Sequence, residues 1–368
     1  MTTTSVAATS ESRASEQQGE AGIQSAQIGA FTEHMVSMRW TPETGWSDPE
    51  VTDHAHLTLS PATASFHYGQ SIIEGLKAHR QPDGSLAVFR PRDHARRLQR
   101  SASRLSMPPL AEEMFLQAIE ELVRVDQAWV PDDPGFSLYL RPFMFASEIN
   151  LVPRPAREFT FIVIAFVIGN YFGEGADNLS AWVCRDYPRA FPGGTGNVKS
   201  AGNYAPTLPA QEAAAAAGCH QVVWLDAVDR RWVEEMGSAN IFFVRGSSLE
   251  AVVVTPDLTG SFLPGITRDT VLKVAAQLGY RTEQQQVSVD QWRSESESGR
   301  ITETFACGTA AVVTSVARVQ DGDQSWMIGD GKPGPVTRAI RQAILDHHRG
   351  LCDDPEGWRY PIAPDARA

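Results

Sequence analysis

An α+β fold in two domains with a cleft between them is the class that the sequence predicts, and three observations point there. The chain has 368 residues, more than one hydrophobic core usually holds, and 42% of them are hydrophobic. Strand-like and helix-like stretches interleave with no regular βαβ ladder or internal repeat. Gly169, Gly173 and Gly175 give the surrounding run the composition of a connection between domains. The expected partition is a tail over 1–28, a smaller domain over 29–170, an interdomain loop over 171–180 and a larger domain over 181–368.

The elements follow in chain order. The first 28 residues are rich in Ser, Thr, Ala, Glu and Gln, lack an apolar signal core and carry acids, which predicts a disordered tail rather than a targeting peptide. Leu86 to Phe89 and Ser137 to Arg141 have strand composition. A helix is expected from Arg92 through Arg96, Arg97, Arg100 and Arg104, and another over Glu112 to Val125, where apolar residues recur at helical spacing. Phe159 to Gly169 is the longest apolar run; it falls short of the roughly 20 residues that cross a bilayer and so predicts a buried strand. Beyond the loop come a strand over Ala181 to Cys184 and an Ala-rich helix over Ala205 to Ala217, ended by Gly218. Strands over Gln221 to Asp226 and Asn240 to Arg245 follow, then a helix after Pro264-Gly265-Ile266-Thr267 that runs to Gly279.

The net charge of −12 argues against nucleic acid or an anionic membrane as the main partner, since both need clustered cations. Cys184, Cys219, Cys307 and Cys352 are scattered and form no C-x-x-C pair, so neither a metal site nor a disulfide framework is expected, and a reducing cytoplasm fits.

The chemistry begins at Lys199, isolated among small residues from Gly193 to Tyr204. Lys77, Lys273 and Lys332 are the only other lysines, and arginine supplies nearly all the remaining positive charge. A guanidinium stays protonated, whereas a lysine amine can lose its proton and attack a carbonyl, so this spacing points to Schiff-base chemistry. A carbonyl cofactor bearing a phosphate and a pyridine ring needs further partners. Tyr204 offers a hydroxyl five residues on, and Glu235, with Glu234 as competitor, offers an acid for a ring nitrogen. Ile266 and Thr267 place backbone N–H groups and a hydroxyl at a helix start, where a phosphate is favoured. Thr309, after Gly308, is a second such donor. Each feature alone also has a plain structural role as a cap, a strand-face acid or a satisfied hydroxyl.

In this order, however, the features resemble the fold-type IV pyridoxal-phosphate enzymes, and more narrowly the branched-chain amino-acid aminotransferases. The resemblance runs from about Phe31 to near Pro361. It includes Phe31-Thr32-Glu33-His34-Met35, Phe66-His67-Tyr68-Gly69, Glu74-Gly75-Leu76-Lys77-Ala78, Phe89-Arg90-Pro91 followed by Arg97, and Leu138-Tyr139-Leu140-Arg141-Pro142. It implies two α/β domains with pyridoxal 5'-phosphate at their interface and ping-pong transamination between an L-amino acid, chiefly leucine, isoleucine or valine, and 2-oxoglutarate. By the same resemblance Lys199 is the Schiff-base lysine, and Arg97, Ile266, Thr267 and Thr309 hold the phosphate. Tyr204 then serves the phenolic oxygen, and Glu235, counted back from Asn240, faces the ring nitrogen. Phe31, Tyr139, Arg141 and the Thr309-Ala310 backbone would meet the substrate, and Tyr68 would reach into a neighbouring subunit's site, which implies a homodimer with shared active sites.

Two departures bear on specificity. Ile73 stands where relatives commonly carry an aromatic residue, and Asn150-Leu151-Val152-Pro153 replaces a Leu-Gly-Val loop. Both point toward a reshaped pocket, and so toward an aminotransferase of specialised metabolism acting on a modified aliphatic or aromatic amino acid. D-amino acid transamination, aminodeoxychorismate lyase activity and a catalytically idle binding or regulatory relative are further alternatives.

Overall fold

The computed structural model describes residues 29–169, 178–247 and 250–363, so the expected tail and all but 178–180 of the expected interdomain loop lie outside the described residues. The first half of the chain supplies β1 (His34–Thr41), β2 (Gly45–Trp46), β3 (Glu50–Asp53), α1 (Ala64–Tyr68), β4 (Ser71–Ile73), β5 (Leu76–Arg80) and β6 (Leu86–Phe89). After these come α2 (Pro91–Arg104), α3 (Glu112–Val125), β7 (Ser137–Ala146) and β8 (Phe159–Ile168). The second half supplies β9 (Asn178–Val183), α4 (Leu208–Ala216), β10 (Gln221–Leu225), β11 (Val233–Met236), β12 (Ala239–Arg245), β13 (Val252–Thr255), α5 (Ile266–Gln277) and β14 (Arg281–Gln284). It ends with α6 (Val289–Glu297), β15 (Ile301–Gly308), β16 (Val312–Asp321), β17 (Gln324–Met327), α7 (Pro335–Arg349) and β18 (Arg359–Ile362).

The first sheet runs β18-β6-β5-β7-β8-β1-β2, with β3 on β1 and β4 on β7, and every pairing is antiparallel. It carries α2 and α3 on one face. Phe115, Ile119 and Leu122 form the buried stripe of α3 and pack with Leu98 and Ala102 of α2 against Leu76, Leu138 and Phe161. In the second sheet β11 pairs with both β10 and β12, so the path β11-β10-β9-β16-β15-β12 closes on itself as a barrel. Alternation decides what fills it. Ile241 and Phe243 join Leu179, Val183 and Val223 in one cluster, while Phe242 and Val244 join Val271 and Val274 of α5 and Ile340 and Ile344 of α7 in another.

Three details differ from the sequence expectation. The helix expected over Ala205 to Ala217 is divided into a 3₁₀ turn at Ala205–Thr207 and α4, because Pro209 has no N–H with which to continue a helical ladder back to Ala205. The helix expected after Thr267 already begins at Ile266, with Gly265 as its cap. The chain end does not stay with the second sheet: β18 pairs antiparallel with β6, with Tyr360 opposite Val88, and so borders the first. No helix among the described residues is long and apolar enough to cross a membrane.

Candidate active site

The loop carrying Lys199 is anchored from both domains. Its backbone N–H donates to Ser101 Oγ of α2 at 3.0 Å, and its carbonyl accepts from Ile73 N–H of β4 at 3.0 Å. Asn203 ties the loop internally, donating through Nδ2 to the Thr195 and Val198 carbonyls at 2.7 and 2.9 Å. At Gly196 the backbone passes so close to the second domain that a Cβ would stand 1.8 Å from the Ser261 carbonyl oxygen, which explains glycine there. With the main chain held, the Lys199 ammonium donates to Tyr204 Oη at 3.1 Å.

Lys199 and Tyr204 line a cavity of about 420 Å³ between the domains. Glu235 of β11 forms part of the same wall, with Oε1 accepting from Leu263 N–H at 3.1 Å. Among the described residues its buried Oε2 accepts no hydrogen bond, though it forms an ion pair with Arg189 Nη1 at 3.0 Å. Burial raises the Glu235 carboxyl above its usual range, against the pull of Arg189, the Leu263 N–H and Lys199. A hydrogen-bond donor at Oε2, beside the Arg189 charge, would relieve that cost further. Glu234 points elsewhere, its Oε1 accepting from Thr259 Oγ1 at 2.8 Å and from Ser261 Oγ.

Arg97 enters the cavity wall from α2 with two of its nitrogens committed, Nε to Glu74 Oε1 at 2.7 Å and Nη2 to Oε2 at 2.8 Å. His94 Nδ1 also meets Glu74 Oε2, at 2.7 Å. Burial alone would raise the Glu74 carboxyl; the Arg97 guanidinium and His94 outweigh it and hold the group well below the ordinary carboxylate range. Glu74→Gln is therefore expected to cost about 3–5 kcal/mol in urea unfolding, because the Arg97 cation stays buried without its counter-charge. Since the folded carboxyl titrates below the unfolded one, its contribution is full above the unfolded value of about 4.3 and is lost as pH falls below it. The deficit of the variant relative to the parent should thus shrink in acid, which unfolding curves at several pH values will read.

The far walls come from β7, α5 and the β15–β16 turn. Arg141 Nη2 donates to Tyr139 Oη at 3.3 Å, and its Nε is buried with no partner. Tyr139 packs on Phe166 and lies over Gly75, where a Cβ would come within 1.9 Å of the phenol oxygen. Gly75→Ala must displace Tyr139 and the Arg141 contact with it, and steady-state kinetics should show kcat/KM lowered about 10²-fold. At α5 the first intrahelical bond runs from Asp269 N–H to Gly265 O at 3.1 Å, which leaves the N–H groups of Ile266 and Thr267 ahead of the ladder. Arg90 of the first domain clamps this end, its Nη1 donating to Thr270 Oγ1 at 2.9 Å and its Nη2 pairing with Asp269 at 2.8 Å. Thr309 and Ala310 complete the lining.

One cavity thus gathers Lys199, Arg97, Tyr204, Glu235, Ile266, Thr267, Thr309, Ile73, Tyr139, Arg141 and Ala310. Phe31 stands one layer behind it, edge-on to the lining residue Phe166. Tyr68 and Pro153 do not line it; Tyr68 Oη donates to the Leu151 carbonyl on the exposed surface. Arg189 and the Glu74 counter-charge went unassigned from sequence. Glu74 stands in the stretch Glu74-Gly75-Leu76-Lys77-Ala78, but nothing in its spacing ties it to Arg97; Arg189, ten residues before the lysine, carries no local signal.

The family model described as amino-transferase class IV matches residues 71–319. A probable branched-chain-amino-acid aminotransferase of Streptomyces coelicolor is 51% identical over 90% of this chain and 91% of its own length. A branched-chain-amino-acid aminotransferase of Mycolicibacterium smegmatis is 48% identical over 89% of each. Among solved structures, the Escherichia coli branched-chain amino acid aminotransferase is similar with a TM-score of 0.74 and 26% identity, over 90% of this chain and all of that one. The T.th. branched-chain amino acid aminotransferase with pyridoxamine 5'-phosphate is similar with a TM-score of 0.72 and 29% identity, over 89% of this chain and 99% of that one.

Proposed function

The chain belongs to the class IV aminotransferase family, and on that premise we propose that it is a cytoplasmic homodimer that uses pyridoxal 5'-phosphate to transfer the amino group of a branched-chain L-amino acid to 2-oxoglutarate. One observation carries the reading. The Lys199 amine, 3.1 Å from Tyr204 Oη, shares a cavity with a buried Glu235 oxygen that has no hydrogen bond.

The residues fit the cofactor by charge and by chemistry. Glu235 Oε2, which has the Arg189 ion pair but no hydrogen bond, would take a protonated ring nitrogen, and the leading N–H groups of α5 with Arg97 and Thr309 would hold a phosphate. When bound, the cofactor supplies an aldehyde that condenses with amines and a ring that withdraws electrons from the substrate α-carbon. Lys199 Nζ, as a neutral amine, would take the substrate α-proton and hold it for redelivery as the amino group is transferred. Tyr204 Oη would orient that amine, Glu235 would keep the ring nitrogen protonated, and Arg141, whose Nε has no partner among the described residues, would receive the substrate carboxylate.

Phe66, Tyr68, Ile149, Leu151 and Val152 are exposed apolar side chains on α1 and the loop after β7, and this supports a dimer in which Tyr68 serves the neighbouring site. Ile149→Asp combined with Leu151→Asp should shift the mass in solution from dimer to monomer, as read by light scattering.

Single-turnover spectroscopy tests the reaction itself. The cofactor-loaded enzyme, mixed in turn with L-leucine, L-isoleucine, L-valine, L-glutamate, L-phenylalanine and D-alanine, should convert its cofactor band with the three branched L-acids and glutamate. Ile73 lines the cavity and supports one rival, an aminotransferase for a modified or aromatic donor. Conversion by phenylalanine or glutamate with no response to the branched acids would favour it.

A further inference from the structure

Behind the Thr309–Ala310 turn lies a second cleft, of about 350 Å³. α7 presents Arg341, His348 and Arg349 to it, positions i, i+7 and i+8 that share one helix face, and β5 presents Lys77 and His79 from the first domain. Among the described residues, five nitrogen-bearing side chains line the cleft and no carboxylate does. On a chain of net charge −12, this concentrates the minority sign in one place.

The groups are poorly satisfied among the described residues. His79 Nε2 and His348 Nδ1 are buried with no hydrogen-bond partner, and their rings stack at 4.7 Å. Lys77 donates to the Ala310 carbonyl at 2.9 Å, and Arg349 donates to the Pro134 carbonyl; neither bond supplies a counter-charge. Asp133 and Asp346 pull on Arg349 without lining the cleft. Burial and the Arg341 charge lower the Lys77 ammonium to about 7, as expected where cations gather without an anion.

We propose that this cleft binds an oxyanion, the phosphate or carboxylate group of a small metabolite, at a site separate from the catalytic cavity and joined to it by the Lys77 to Ala310 bond. Arg341 and Arg349 supply charge from the solvent side, Lys77 supplies it from within, and the two imidazoles complete the contacts. The link to catalysis is short. Ala310 lies on the turn that lines the substrate cavity, and that turn ends at Val312 with φ of 57°, a conformation strained for a β-branched residue. An anion that draws the Lys77 ammonium away from the Ala310 carbonyl loosens this turn.

The test is calorimetric titration of the cofactor-loaded enzyme with inorganic phosphate and, separately, with malonate, at ionic strength fixed with chloride. The proposal expects one saturable equivalent, about tenfold weaker in Arg341→Gln and lost in Arg341→Glu. Arg341 is exposed, so the anion-free melting temperature of both variants should match the parent's. Saturation by phosphate alone identifies a phosphorylated ligand, and saturation by malonate alone a carboxylate. Absence of saturable binding, or equal affinity in the parent and Arg341→Glu, would overturn the site, the second result placing the anion in the catalytic cavity instead.

Discussion

Lys199→Ala is expected to lower kcat by about 10⁴-fold while leaving the fold and the purified yield unchanged. The separation is possible because the loop is held by its backbone, through Ser101 and Ile73, and the side chain contributes only the bond to Tyr204. Removing the amine therefore deletes the proposed proton carrier without loosening its surroundings. Lys199→Arg should be equally inactive, since a guanidinium does not give up its proton at working pH. Rapid-quench turnover measurements, with near-ultraviolet dichroism as the control for folding, read both effects.

Glu235→Gln carries the second large effect, a fall in kcat/KM of about 10²–10³-fold. The amide preserves volume and can still accept from Leu263 N–H, so the loss reports the missing negative charge. Two measurements sharpen this. The bound cofactor's absorption should shift as its ring nitrogen loses a counter-ion, and Glu234→Gln, whose parent carboxylate is turned toward Thr259 and Ser261, should leave both the spectrum and turnover close to the parent's. Equal damage from the two substitutions would mean that Glu235 has no special place.

What could be foreseen from sequence divides by distance along the chain. Lys199 and Tyr204 are five residues apart, whereas spacing alone leaves Glu234 and Glu235 as competitors, and only the family resemblance, counted back from Asn240, selects Glu235. The α3 stripe and the β8 apolar run are likewise local patterns, and both stand where expected. The Glu74 to Arg97 pair is not local. It exists because β4 and β5 pair with β7 while α2 packs across them, an arrangement that no spacing between residues 74 and 97 encodes. The same holds for Arg189 beside Glu235 and for the cleft that joins Lys77 to Arg349. β18 was missed for another reason: a four-residue edge strand containing Pro361 has too little pattern to declare its partner.

If Lys199 alone bonds to the cofactor, the chain's four lysines make that directly testable. The enzyme loaded with pyridoxal phosphate is reduced with borohydride, digested and mapped by mass spectrometry. Lys77 is the natural control, because it is buried where the two sheets meet and burial with the Arg341 charge lowers its amine to about 7. The reduced cofactor's mass is expected on the peptide containing Lys199, with Lys77, Lys273 and Lys332 unmodified. Cofactor fixed on Lys77, or distributed among several lysines, would contradict it.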